Sequence, residues 1–195
     1  QKGWINDYRI RLNDGVNYTA ERNGVLYKPF TDTTAFVIGC TDTFKGIAHI
    51  KDTIQAFSKT FVVTEIAANA FQSNTSITGI DFGDNCRLKI IGNFAFEQCT
   101  NLGGTLAIPV SITALGDACF QKTAITNVVF SKYGNLKMIG DYAFSECPNL
   151  GGDIYMPASL ESTGVEVFYP CNRFTSIKFD PECKIKTINR SLFST

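Results

Sequence analysis

Seven cysteines, one histidine and two aspartates are the residues of this chain whose types and spacing could do chemistry. The cysteines stand at 40, 86, 99, 119, 147, 171 and 183, an odd number with no Cys-x-x-Cys among them. Zinc ribbons and thioredoxin-like redox motifs need that short spacing, so neither is indicated. Buried thiols and a disulfide framework both stay open. His49 is the single histidine, so a nucleophilic Cys–His pair would have to be built on it. It lies in Ile47-Ala48-His49-Ile50, which reads as a strand and turns His49 outward if Ile50 faces inward. A surface strand residue is the plainer reading, and one histidine cannot supply a His-based zinc site. Asp117 and Asp141 are 24 residues apart, with Asn93 another 24 before them. Stacked carboxylates could share a calcium ion, but the glycine-rich pattern of calcium-binding coils is missing. Turn residues are the simpler account. No acid/base pair, nucleophile constellation or phosphate loop accompanies these residues. The chain does not read as an enzyme, and no cofactor or metal is implied.

The elements that must position these residues are repeats. Leu88–Leu102 (LKIIGNFAFEQCTNL) recurs almost verbatim as Leu136–Leu150 (LKMIGDYAFSECPNL), offset by 48 residues. Looser copies lie between and on either side. They align on Phe71, Phe96, Phe120, Phe144, Phe168 and Phe193, at spacings of 24 or 25 residues. Eight residues before each Phe stand Val63, Leu88, Ile112, Leu136, Leu160 and Ile185. Five before it stand Ile66, Ile91, Leu115, Ile139, Thr163 and Ile188, with Thr163 the one break. Cys99, Cys147 and Cys171 share the column three after the Phe, with Asn74 and Thr123. Cys86 and Cys183 share another.

A coil of about 24 residues cannot bury its own apolar face, so it must stack on its neighbours at about 4.8 Å, the strand spacing. Each apolar column then becomes a ladder, with Phe as the core. The Phe-x-x-Cys spacing reads as one tight helical turn that points both side chains the same way. Cys147 and Cys171, one coil apart, could approach closely enough to bond. Strands follow at Ile77–Phe82, Ile125–Phe130 and Phe174–Phe179, and at GGTLAIP (103–109) and GGDIYMP (151–157). Pro109 and Pro157 end the latter two. Two kinds of coil therefore alternate, one marked by Gly-Gly and Pro, the other by a Thr-x-Ile/Val strand. They should differ in shape on one edge.

Residues 1–60 carry no copy of the motif and read as a small antiparallel β region that caps the solenoid. Strands are expected at Tyr8–Leu12, Tyr18–Glu21, Val25–Tyr27, Ala35–Ile38 and Ile47–Ile50, with turns at Asn13-Asp14-Gly15 and Asn23-Gly24. Gln55–Phe61 reads as an inserted loop. Residues 61–195 form the array, which breaks off mid-coil at Leu192-Phe193-Ser194-Thr195 and so reads as truncated.

The pattern L-x-x-I-G-x-x-A-F-x-x-C-x-x-L, followed by a strand and Pro, resembles the BspA-like leucine-rich repeats. Leu88–Leu102 and Leu136–Leu150 match at every marked position, and the resemblance spans about residues 45–195. It implies a β-rich solenoid, a leucine-rich-repeat right-handed superhelix of about six coils. It also implies a secreted or cell-surface protein, of a kind associated with adhesion to host proteins or to other cells. It favours packing as the role of the cysteines.

If the aliphatic residues point inward, alternation turns Gly79, Thr105, Asn127, Asp153 and Ser176 outward in one column. His49, Asp81, Ala107, Val129, Tyr155 and Lys178 fall in the next. Such columns face the concave side of leucine-rich repeats. The candidate binding face is thus His49, Asp81, Thr105, Asn127, Val129, Asp153, Tyr155, Ser176 and Lys178. A protein or glycan partner fits these mixed, mostly small side chains, and a structural spacer without a ligand is the alternative. The net charge of zero lacks the basic footprint of nucleic-acid binding, and a stacking platform for single strands is missing. No apolar run approaches the roughly 18 residues a membrane span needs. The sequons at Asn17, Asn74 and Asn189 matter only in a eukaryotic secreted protein.

Overall fold

The computed structural model describes residues 9–13, 17–186, 188 and 192. Tyr8, Asp14 and Gly15 of the expected first strand and turn, Asn189 and Phe193 lie outside them. Strands β1 (Arg9–Asn13), β2 (Asn17–Arg22), β3 (Val25–Pro29) and β4 (Thr34–Cys40) run antiparallel in that order. Asn23 and Gly24 both take positive φ in the turn between β2 and β3, the hairpin geometry Asn-Gly favours. Next come β5 (Gly46–His49), β6 (Thr53–Ala56) and β7 (Lys59–Ile66).

Here the inserted loop expected at Gln55–Phe61 is corrected. β6 and β7 form an antiparallel hairpin, with Ala56 opposite Lys59 across the turn Phe57–Ser58. Both turn residues have positive φ, 51° and 59°. This is a two-residue hairpin turn built without the Asn or Gly that normally advertises it.

The array continues with β8 (Ile77–Asp81), β9 (Ile90–Ile91), β10 (Gly103–Ile108), β11 (Ala114–Leu115) and β12 (Ala124–Phe130). It ends with β13 (Met138–Ile139), β14 (Gly151–Met156), β15 (Ser162–Thr163) and β16 (Arg173–Phe179). No helix occurs among the described residues. One sheet runs the length of the solenoid, in the order β1-β2-β3-β4-β7-β9-β11-β13-β15. It is antiparallel up to β4 and parallel from β4 onward along this path. The N-terminal strands thus extend the solenoid's own sheet and cover its first coil.

Inside, the Phe column is a stack of rings. Centroids of Phe71, Phe96, Phe120, Phe144 and Phe168 follow one another at 4.9, 5.2, 5.4 and 5.5 Å, nearly parallel. All five are buried. Removing one such ring costs about 3–5 kcal/mol. Backbone bonds link the coils beside it: Asn69, Phe71 and Ser73 N–H donate to the carbonyls of Asn93, Ala95 and Glu97 in the next coil. Later coils repeat the pattern. The residues two before and two after Phe71, Phe96, Phe120 and Phe144, such as Phe94 and Gln98, are left-handed. The Phe-x-x-Cys segment closes by a bond from Cys99 N to Phe96 O, 3.1 Å. With Gln98 left-handed it is a sharp turn and not the expected helical one, although Phe96 and Cys99 do share the interior.

Each thiol of the cysteine column has a definite partner. Cys99, Cys147 and Cys171 donate to the carbonyls of Phe71, Phe120 and Phe144 at 3.0, 3.2 and 3.3 Å. All seven cysteines are free. Burial pushes Cys99 and Cys171 up to about 12 and raises Cys119 and Cys147 as well, so these thiols stay protonated at neutral pH. Asn74 and Thr123 fill the column without loosening it. Asn74 Oδ1 accepts from Ser76 and Ile77 N–H, and its Nδ2 donates to Cys40 Sγ. Thr163, the break in its column, is buried and pairs in register with Ile139. Ile188 departs from the expected core column and is 55% exposed.

The aspartates belong to a second ladder. Asn93 Oδ1 accepts from Asp117 N, Asp117 Oδ1 from Asp141 N, and Asp141 Oδ1 from Val165 N, at 2.8–2.9 Å. The glycine before each donor makes room. A Cβ on Gly116, Gly140 or Gly164 would lie within 2.5 Å of the Asn or Asp oxygen below it. The turns Ile91-Gly92-Asn93, Leu115-Gly116-Asp117 and Ile139-Gly140-Asp141 therefore act as coil-to-coil clamps, in which an Asn or Asp oxygen satisfies a backbone donor of the next coil. No group of three metal-binding side chains occurs among the described residues.

Candidate binding face

The second strand system carries the outward columns. It does not form one sheet. β5 pairs with β8, β10 with β12 and β14 with β16, each in parallel. Each pair joins a Gly-marked strand to a Thr-marked one, so the 48-residue period is the period of strand pairing. A bulge explains both marks. Gly46, Gly104 and Gly152 have φ of 98°, 77° and 81°, and the register slips just after each. Thr78, Thr126 and Thr175 are the extra residues opposite. Two residues of one strand thus oppose one of the other, as in any bulge, and here the left-handed glycine lies on the strand without the extra residue. Beyond it both strands alternate, with Leu106, Ile108, Val128, Phe130, Ile154 and Met156 buried.

The register brings the candidate residues together two by two. Opposite one another stand His49 and Asp81, Thr105 and Asn127, Ala107 and Val129, Asp153 and Ser176, and Tyr155 and Lys178. His49, Asp81, Thr105, Val129, Asp153 and Lys178 are exposed, and Asn127, Tyr155 and Ser176 half-buried. It does not bring the pairs into one hydrogen-bonded row, because breaks separate β8 from β10 and β12 from β14.

His49 Nδ1 lies 2.7 Å from Asp81 Oδ2. Asp81 Oδ1 also accepts from Gly83 N at 2.9 Å. The Gly83 bond first, then His49, holds the Asp81 carboxyl below its ordinary value. Asp153 Oδ1 accepts from the hydroxyls of Thr175 and Ser176 at 2.5 and 2.7 Å, which lowers its pKa. The Tyr155 hydroxyl donates to Asp180 Oδ2. That bond pushes Tyr155 up to about 12 and pulls Asp180 down. Thr105 and Asn127 keep their polar groups without a protein partner among the described residues.

Asp180, Thr175 and Gly83 were not legible as site residues. Asp180 stands where earlier coils carry Ser131 and Gly83, so only its departure from its own column singles it out. The sequon at Asn74 is occupied structurally, since its side chain is committed to three hydrogen bonds.

Six copies of the BspA type leucine-rich repeat region match residues 64–195. The chain belongs to that family. Among solved structures it is similar to the Treponema pallidum leucine-rich repeat protein TpLRR, at 23% identity and a TM-score of 0.65, covering 79% of this chain and 68% of that one. A Bacteroides capillosus leucine-rich repeat protein is 20% identical with a TM-score of 0.50, covering 83% and 98%. The pneumococcal vaccine antigen PcpA is 19% identical with a TM-score of 0.59, and the match spans 84% of this chain but half of PcpA's, 50%. These likenesses establish the leucine-rich-repeat fold. No curated protein sequence matches this one. Among the described residues no helix is long and apolar enough to cross a membrane.

Proposed function

We propose that this BspA-type repeat is a non-enzymatic recognition module, which presents its paired strands to a protein or glycan at the cell surface or outside the cell. The carrying observation is the register, which aligns His49/Asp81, Thr105/Asn127 and Tyr155/Lys178 as adjacent pairs of side chains directed away from the core. Family membership supports a binding or adhesion role. The face carries opposite charges, hydroxyls, an amide and one tyrosine, which suits a polar partner held by several modest contacts. The buried thiols are protonated and the aspartate ladder is committed to backbone donors, so neither provides reactive groups.

The test is retention of the chain on an immobilised panel of extracellular-matrix proteins and glycans. Replacing Tyr155 and Lys178 together by Ala lowers retention about tenfold or more, the effect of losing face residues that contribute 1 kcal/mol or more. Cooperative thermal unfolding persists in the double variant. Undiminished retention of that variant rules out this face. Failure of the parent chain to bind any member favours a spacer.

A further inference from the structure

The break between β8 and β10 opens a groove of about 450 Å³, lined on one side by Asp81, Phe82 and Asp84 and on the other by Thr105, Ala107 and Val110. That volume falls in the range of sites that accept a small ligand or a single large side chain, roughly 300–1,000 Å³. We infer that this groove receives an arginine or lysine side chain of a protein partner. The inference rests on the reading of the strand face as a recognition surface, and it names the chemistry recognised there.

The two walls differ in kind. One carries the Asp81 carboxylate, fixed by Gly83 N–H and His49, and the exposed Asp84, which has neither an ion pair nor a hydrogen bond among the described residues. The other is mostly apolar, with Ala107 and Val110 both exposed and Val110 at 55%. A hydrated metal ion would leave the apolar wall unused, and a neutral sugar would leave the two carboxylates without a countercharge. A basic side chain uses both, laying its methylene stem along Ala107 and Val110 and its charged head against the carboxylates. The unpaired Thr105 hydroxyl stands on the same wall as a further polar contact.

The repeat supplies an internal comparison. Forty-eight residues on, Tyr155 stands where Ala107 does, and Val129 and Ser131 replace Asp81 and Gly83. At that later position the tyrosine ring occupies the strand face and bonds to Asp180. The groove between β8 and β10 thus combines a small residue on one wall with carboxylates on the other. Neither feature is required by the solenoid, since the neighbouring unit folds with the alternatives.

The experiment is a titration of the isotope-labelled chain with blocked pentapeptides, Ala-Ala-Xaa-Ala-Ala, followed by amide NMR. Arginine and lysine peptides move the Gly83, Asp84, Thr105 and Ala107 amides saturably, and the glutamate and leucine peptides do not. Ala107→Tyr, which repeats the side chain native to position 155, abolishes the shifts. Asp84→Asn, a surface change that leaves the fold intact, weakens binding about two- to five-fold, the scale of one exposed ion pair. The inference is overturned if basic peptides move none of these amides at millimolar concentration. It is equally overturned if glutamate or leucine peptides match them, or if Ala107→Tyr binds undiminished. The titration needs no natural partner and leaves Tyr155 and Lys178 intact, so its failure is distinct from failure of the retention test.

Discussion

The clamp between successive coils can be taken apart at Asp117 and Gly140. Asp117 Oδ1 accepts from Asp141 N at 2.9 Å. Asp117→Ala deletes the acceptor and leaves a half-buried donor to water, a loss of about 1.5 kcal/mol, at the lower end for bonds to charged groups. Asp117→Asn keeps an oxygen in place, as Asn93 does for Asp117, and loses less than about 0.5 kcal/mol. Gly140 is a separate matter. Its φ is not in the left-handed region, so alanine there is not conformationally strained. The obstacle is space: a Cβ would lie 2.5 Å from Asp117 Oδ1 and 2.6 Å from both Asp117 N and Gly116 C. The carboxylate can swing aside but the backbone cannot. Gly140→Ala therefore costs about 3 kcal/mol alone, at the upper end for overpacking. It still costs more than about 1 kcal/mol in an Asp117→Ala background, and the double variant is less damaged than the sum by about 1 kcal/mol. Urea unfolding followed by far-ultraviolet circular dichroism measures all four chains, with constant slopes as the check on two-state behaviour. An Asp117→Asn chain as damaged as Asp117→Ala, or a neutral Gly140→Ala, refutes the clamp.

Two further outcomes concern side chains that the fold holds protonated. In the native chain at mildly alkaline pH, iodoacetamide leaves Cys99, Cys119, Cys147 and Cys171 unmodified and reacts with all four in urea. Peptide mapping that finds any of them alkylated at the rate of a free thiol contradicts their burial. The Tyr155 hydroxyl, raised from 10.0 to about 12 by its bond to Asp180, holds its proton more tightly folded than unfolded. Its stabilisation is complete below pH 10.0 and lost as pH rises through about 12. A tyrosinate difference titration of the parent against Tyr155→Phe therefore has its midpoint near 12, and a midpoint at 10.0 refutes the bond.

The sequence displayed the core more openly than the devices that lock it. Phe71 to Phe168 could be aligned because a smaller residue would leave a void in the stack of rings, and the column is unbroken. The outward columns were legible for the same reason: Leu106 and Val128 anchor the alternation on which His49, Tyr155 and Lys178 ride. The β6–β7 hairpin was hidden because Phe57 and Ser58 take left-handed positions that Asn-Gly would have announced. The role of Asp117 and Asp141 was hidden because their hydrogen-bond donors are main-chain groups 24 residues away, which no side-chain pattern reveals. The glycine pairs and the threonines were visible as marks. That they are the two halves of one bulge depends on which strand lies beside which, and register is a property of the fold.

Pairing the outer strands by twos gives the array a parity. Excising a single coil, such as residues 112–135, would set the strand of Gly104 beside that of Gly152. Two left-handed glycines would then face each other, with no threonine bulge to meet either. Removing or duplicating two coils restores every match. A lineage of such chains can lengthen or shorten by unequal crossing-over only in even steps on this side of the solenoid, although the ring stack inside would accept any number.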